Sequence, residues 1–373
     1  MIRVRIIACL FPMFLAAACA GTAAKDPPAK PASSAQNLRT QLDRQAPQWL
    51  QQSDVPSVAV AYIEHGKLAW TAVYGEQSPG VPATEKTLYN LASLTKPISA
   101  ELILRLASNG KLSLDEPMFP YWVDPDIKDN PWAKLLTPRL CLSHQTGFKN
   151  WRGQTQGVLT FQWEPGTNFG YSGEGYNYVG RFAEKRTGRP FEELAQEYVF
   201  DPIGMKETAY TKRDWFAGRL AEPHGPKGET GPKDLSTWTA ADLVRTTVGD
   251  YAKFVLSVMR RQGLTHDIAD AQMTSTRNLP TADEVRQLCI KAGMAADACR
   301  ARAGMGLGWQ IIELNGVTVI DHSGSDWGVR THVFFDPNKQ TGVVIFTNGD
   351  KGNDVIRKVA GLLYPDPLFI ATL

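Results

Sequence analysis

Residues with strand-forming chemistry gather at both ends of this chain, and residues 90–300 between them read as helices and loops. That separation is the strongest constraint on the fold. Near the N-terminus, Ser57–Ile63 and Lys67–Tyr74 are rich in β-branched and aromatic residues and flank the turn Glu64-His65-Gly66. Near the C-terminus the pattern returns in Trp309–Leu314, Val317–Asp321, Thr331–Phe335 and Gly342–Asn348, with turns at Asn315-Gly316 and Asp336-Pro337-Asn338. A sheet must cover its apolar face, so the economical architecture is α+β. One antiparallel sheet is built from both chain ends and flanked by helices, with a mostly helical lobe inserted. The sheet lobe is expected over about 36–85 and 305–373, and the helical lobe over about 86–304. Helical spacing of apolar residues marks 35–52, ending at Val55-Pro56, then 98–109, 180–185, 191–198, 240–260 and 354–363. No internal repeat is present, and the cleft between lobes is the natural place for a site.

The first residues carry an export pattern: Arg3 and Arg5, an apolar run from Ile6 to Leu15, then Ala16-Ala17-Ala18-Cys19. The run is too short to span a membrane. Residues 1–18 are thus a signal peptide, cut either at an ordinary small-residue site or by lipoprotein processing that leaves a lipid on Cys19. The second is favoured, because Leu15–Gly21 resembles a bacterial lipobox, although Ala16 stands where leucine is commoner. An Ala/Pro/Lys/Ser tract at 19–35 has the composition of a flexible tether to a folded domain at 36–373. The expected location is the periplasm, anchored by lipid or alternatively soluble or secreted.

Export changes how the five cysteines are read. Cys289 and Cys299, ten positions apart, are expected to form a local disulfide, and Cys141 in Leu140-Cys141-Leu142 to be a buried apolar residue. No cysteine–histidine cluster has zinc spacing, so neither metal nor cofactor is expected. The charge is +2, from forty basic and thirty-eight acidic residues interspersed along the chain, which excludes a nucleic-acid footprint. Small esters, amides or peptides are the expected partners, with membrane contact only through Cys19.

Ser93-Leu94-Thr95-Lys96 sets a hydroxyl and an amine three residues apart at a helix start, on one face. A neighbouring cation and the helix dipole would lower the lysine pKa, and the neutral amine would take the serine proton. Alone, the pattern more often marks an N-cap serine beside a solvated lysine. Tyr171, in the Gly-flanked loop Pro165–Ser172, is a second candidate, a phenol that two cations would ionise below its ordinary value. His322-Ser323-Gly324, at the end of a predicted strand and followed by Ser325, is the third, with glycine admitting substrate backbone.

These three motifs, in this order, make the chain resemble the serine β-lactamase and penicillin-binding-protein superfamily, in its class C-like branch with family VIII esterases and D-aminopeptidases. The resemblance extends over about 40–365. It includes Leu91-Ala92, Leu142–Gly147, Pro165-Gly166, Pro202–Met205 and Gly306–Trp309. It implies that Ser93 is acylated and that Lys96 and Tyr171 share the work of a base, without choosing between them. It also implies that His322, Ser323, Gly324 and Ser325 line the substrate cleft, and that backbone N–H groups of Ser93 and of the strand after His322 form an oxyanion hole.

Two departures stand out. The second motif usually ends in asparagine, yet this chain has Gly173 followed by Glu174, leaving Glu174 or Asn177 as partial replacements. The third begins with His322 where class C lactamases carry lysine. Arg330 either supplies the missing charge or, the favoured alternative, forms a salt bridge. The expectation is an exported serine hydrolase of esterase, amidase or peptidase type. A low-rate β-lactamase or D-Ala peptidase is the alternative within this chemistry, and a silent envelope ligand-binding protein the alternative outside it. Segments 225–235 and 276–303 are expected to frame the entrance.

Overall fold

The computed structural model describes residues 34–229, 235–276 and 280–373, so the signal peptide, Cys19 and most of the tether lie outside the described residues. Residues 34–373 form one compact unit. Its main sheet contains β1 (Ser57–Glu64), β2 (Lys67–Ser78), β3 (Val81–Pro82), then, after two shorter strands and one more to be placed below, β7 (Ala301–Met305), β8 (Gln310–Leu314), β9 (Val317–Asp326), β10 (Val329–Asp336) and β11 (Thr341–Thr347). The spatial order is β3-β2-β1-β11-β10-β9-β8-β7. β1 lies antiparallel to β11, with Val58 opposite Thr347 and Ile63 opposite Gly342, so the two chain ends meet at the sheet centre as expected.

Alternation along each strand divides the apolar residues between two cores. Ile311, Ile320, Val333, Phe335, Val344 and Phe346 join Leu94, Ile98, Leu102, Tyr251 and Phe254 on the inner side. Ile312, Leu314, Val319, Phe334, Val343 and Ile345 pack outward on Leu42, Ala46, Leu50, Val355, Val359 and Leu363. Each such buried side chain contributes about 1.5–3 kcal/mol. The outer layer comprises the helices Ser34–Ser53 and Gly352–Leu363. The first of these ends where the residue before Pro56 is driven out of the helical region, and its apolar stripe has the expected spacing.

Three expectations need correction. A second sheet of β4 (Tyr89–Asn90), β6 (Arg245–Thr246) and β5 (Thr208–Ala209), in that order, lies within the stretch read as helices and loops. Two-residue strands carry no readable periodicity. The helix foreseen over 240–260 is Val248–Met259. It starts late because Leu243 has φ +74° and the Thr247 side chain accepts from Asp250 N at the helix start. Finally, β9 continues to Asp326, which puts His322 within the strand instead of at its end. The disulfide Cys289–Cys299 is present, and Cys141 is a buried free thiol, its pKa pushed up by burial. Among the described residues no helix is long and apolar enough to cross a membrane.

Candidate active site

From β4 the chain enters a tight turn, Ala92–Leu94, and then the helix Thr95–Ser108. Ala92 takes φ +47°, a conformation costing an L-residue about 1 kcal/mol. The turn is held from several sides. Asn90 Oδ1 accepts from Ala92 N at 3.1 Å and from Arg245 Nη1 at 2.8 Å. Tyr251 donates to Leu94 O at 3.1 Å, and Thr95 Oγ1 accepts from Val244 N at 3.2 Å. Ser93 is left half-buried at the end of this braced segment.

Lys96 is fully buried beside it. Its Nζ donates to Ser93 Oγ at 2.9 Å and to Ala241 O at 3.0 Å. The rings of Tyr171, Trp151 and Tyr176 surround the amine, their centroids 4.8, 5.7 and 5.9 Å away. Burial pushes the Lys96 pKa down to about 7, against a smaller upward pull from Asp242. The direction agrees with the sequence expectation but the cause differs: desolvation lowers it, and no neighbouring cation is needed.

Tyr171 stands in the loop before the helix Gly173–Thr187, whose N-terminus Ser172 caps by accepting from Gly175 N at 3.0 Å. Its hydroxyl is placed to interact with the Ser93 side chain. The expectation of an easily ionised phenol is overturned, because burial holds the Tyr171 pKa well above its ordinary value. In a low-dielectric pocket the phenolate loses more hydration than Ser93 returns, and the charge of Asp242 opposes it further.

β9 closes the third side. His322 is buried, with its ring centroid 6.3 Å from that of Tyr171. Its Nδ1 lies 2.8 Å from Ser323 O, which can only accept, so the proton sits on Nδ1 and Nε2 carries the lone pair. Burial, then Lys96, pushes the His322 pKa down to about 3. At Gly324 a Cβ would lie 2.2 Å from Thr331 Oγ1, 2.4 Å from Leu91 O and 3.2 Å from Ser93 N. Only glycine allows the strand this near the nucleophile turn. Alternation turns the side chains of Ser323 and Ser325 away from His322 and Gly324, and both are exposed.

The proposed substitutes for the missing amide do not face the nucleophile. Glu174 accepts from Arg152 N and Nη2, both at 2.9 Å, and Asn177 Oδ1 accepts from Ala240 N at 3.0 Å. A Cβ at Gly173 would fall 2.5 Å from the Trp151 ring, so the indole occupies the space a side chain there would need. Arg330 is held by Asp350 at 2.7 Å, in agreement with the salt-bridge alternative. Gly225 packs under Trp327 at the end of β9, whereas Cys289 and Cys299 belong to the outer core, on the sheet face opposite Ser93. The second supposed entrance segment is therefore misplaced. Sequence reasoning also missed Trp151, Ala241 and His144 as neighbours of the site. His144 lies within a segment that the resemblance covers, but nothing local marks its role.

A braced serine next to a buried amine, at the edge of an antiparallel sheet with helices on both faces, defines a β-lactamase-type fold. The Beta-lactamase family model matches residues 36–363, and the chain belongs to that family of serine hydrolases. Penicillin-binding protein 4 of Amycolatopsis lactamdurans is 23% identical over 340 residues, covering 84% of this chain and 88% of that one. Esterase EstB of Burkholderia gladioli is 26% identical over 234 residues, 54% of this chain and 59% of the esterase. A class C beta-lactamase structure superposes with a TM-score of 0.72 at 18% identity, covering 90% of this chain and 98% of that one. At that identity the likeness speaks for the fold alone.

Proposed function

We propose that this protein is an exported serine hydrolase that forms an acyl-enzyme on Ser93 with small esters and releases the acid to water. The observation that carries this reading is the Lys96 amine, 2.9 Å from Ser93 Oγ and with a pKa of about 7. When neutral it takes the Ser93 proton as Oγ attacks the substrate carbonyl, while the developing oxyanion meets the Ser93 N–H and the β9 backbone. Tyr171, still protonated and beside Ser93, passes a proton to the departing alkoxide, and Lys96 replenishes it. A water molecule then repeats the sequence on the acyl group, and Ser93 recovers its proton.

Three observations favour an ester over a β-lactam. His322 is neutral, Arg330 is committed to Asp350, and Trp151 covers Gly173. An antibiotic carboxylate thus finds no fixed positive charge at the motif positions, and an amide carbonyl no side-chain amide at position 173. The N-terminal pattern supports export and Cys19 as the lipid-bearing residue, which incorporation of radioactive fatty acid tests.

Chromogenic ester turnover by the wild type and by Ser93→Ala tests the assignment. Loss of turnover in the variant is expected, and equal rates overturn it. Labelling of Ser93 by a fluorophosphonate separates a hydrolase from a silent binding protein. Labelling by a fluorescent penicillin faster than ester turnover would favour the β-lactamase or D-Ala peptidase alternative.

A further inference from the structure

His144 brackets Tyr171. Its carbonyl accepts from Gly170 N at 2.9 Å, and its Nδ1 accepts from Ser172 N at 3.0 Å, so the residues before and after the tyrosine are both tied to it. The imidazole also lies along the phenol, with ring centroids 4.3 Å apart and planes 31° apart, and Tyr176 supports it at 5.2 Å. His144 is fully buried and holds φ +57°, a region uncommon for residues other than glycine. It is anchored in turn: its N–H and that of Gln145 donate back to Cys141 O and Leu140 O, at the short helix Pro138–Leu142.

A backbone N–H can only donate, so Nδ1 carries the lone pair, the ring is neutral and the proton sits on Nε2. Among the described residues Nε2 is buried without a hydrogen-bond partner. Burial opposes a second proton on the ring, and the nearby charges of Lys96 and His322 add to it. A phenylalanine would fill the same space without burying an unpaired polar atom. What the imidazole adds is the acceptor for Ser172.

We propose that His144 is a positioning residue that fixes the Tyr171 phenol against Ser93 by holding the peptide on either side of it, without exchanging a proton itself. The inference rests on Ser93 being the nucleophile, and its test keeps the two apart.

Ester kinetics and the rate of fluorophosphonate labelling are measured for His144→Phe and His144→Asn. The first keeps the ring and loses the acceptor. The second supplies Oδ1 where Nδ1 was and tolerates positive φ. His144→Phe is expected to lower kcat about 30-fold with KM within about twofold, and His144→Asn to recover to within about fivefold of wild type. In a Tyr171→Phe background, His144→Phe should cost nothing further, because the tyrosine it acts through is gone. Wild-type rates in His144→Phe, an asparagine variant no better than phenylalanine, or fully additive losses in the double variant would each overturn the proposal. If His144→Phe fails to fold, as judged by thermal melting, His144→Ala takes its place in the same cycle. Labelling that survives Ser93→Ala removes the nucleophile assignment; labelling lost there but unchanged in the His144 variants removes only the role given to His144.

Discussion

The Lys96 amine bonds to the Ser93 hydroxyl at 2.9 Å and to the Ala241 carbonyl at 3.0 Å, a buried amine whose partners are both uncharged. A cation there is poorly compensated, which is why its pKa falls to about 7 from the ordinary 10.5. Ester kcat/KM should therefore rise about tenfold per pH unit below about pH 7 and level off above it, as a pH–rate profile would show.

The same shift has a consequence for stability. The folded pKa lies below the unfolded one, so the unfolded chain binds more protons between about pH 7 and 10.5. The contribution of Lys96 to stability accordingly rises with pH across that window and is least favourable below about 7. Lys96→Met should abolish turnover yet raise the melting temperature at pH 6, and a lowered melting point would contradict the account.

Tyr171 is raised in pKa, so its phenol stays protonated well into the alkaline range. Activity should show no loss between pH 8 and 10 from its ionisation. Tyr171→Phe should lower kcat by about 10²–10³ with little change in KM, and steady-state kinetics with a series of leaving groups should show the largest loss for the poorest one.

Gly324→Ala would drive a methyl group into Leu91 O and Thr331 Oγ1, at 2.4 and 2.2 Å. Since Leu91 O is backbone, relief requires β9 to move away from Ser93. The variant should lose about 2 kcal/mol in urea denaturation and most of its fluorophosphonate labelling.

Cys289→Ser opens a ten-residue loop on the sheet face away from Ser93. Stability should fall by about 2–3 kcal/mol while the pattern of ester preferences stays as in wild type. A changed preference, measured on a panel of acyl chain lengths, would place the loop at the cleft after all.

Much of this was readable in the chain. The sheet from both ends, the helix Thr95–Ser108, the Cys289–Cys299 bridge and the Ser93–Lys96 pair follow from local periodicity and spacing, which a short window of sequence carries. Tertiary packing decided what depends on distant residues. The protonation preferences of Lys96, Tyr171 and His322 were set by burial, and burial is the work of the whole lobe. The fate of Glu174 and Asn177 was set by Arg152 and Ala240. Trp151 over Gly173 and His144 around Tyr171 meet across twenty residues or more of chain. The sequence alone determined that a serine stands beside an amine, because the two lie three residues apart at a helix start. The charge of that amine and the groups holding its partner depended on desolvation and long-range contacts that no local pattern records.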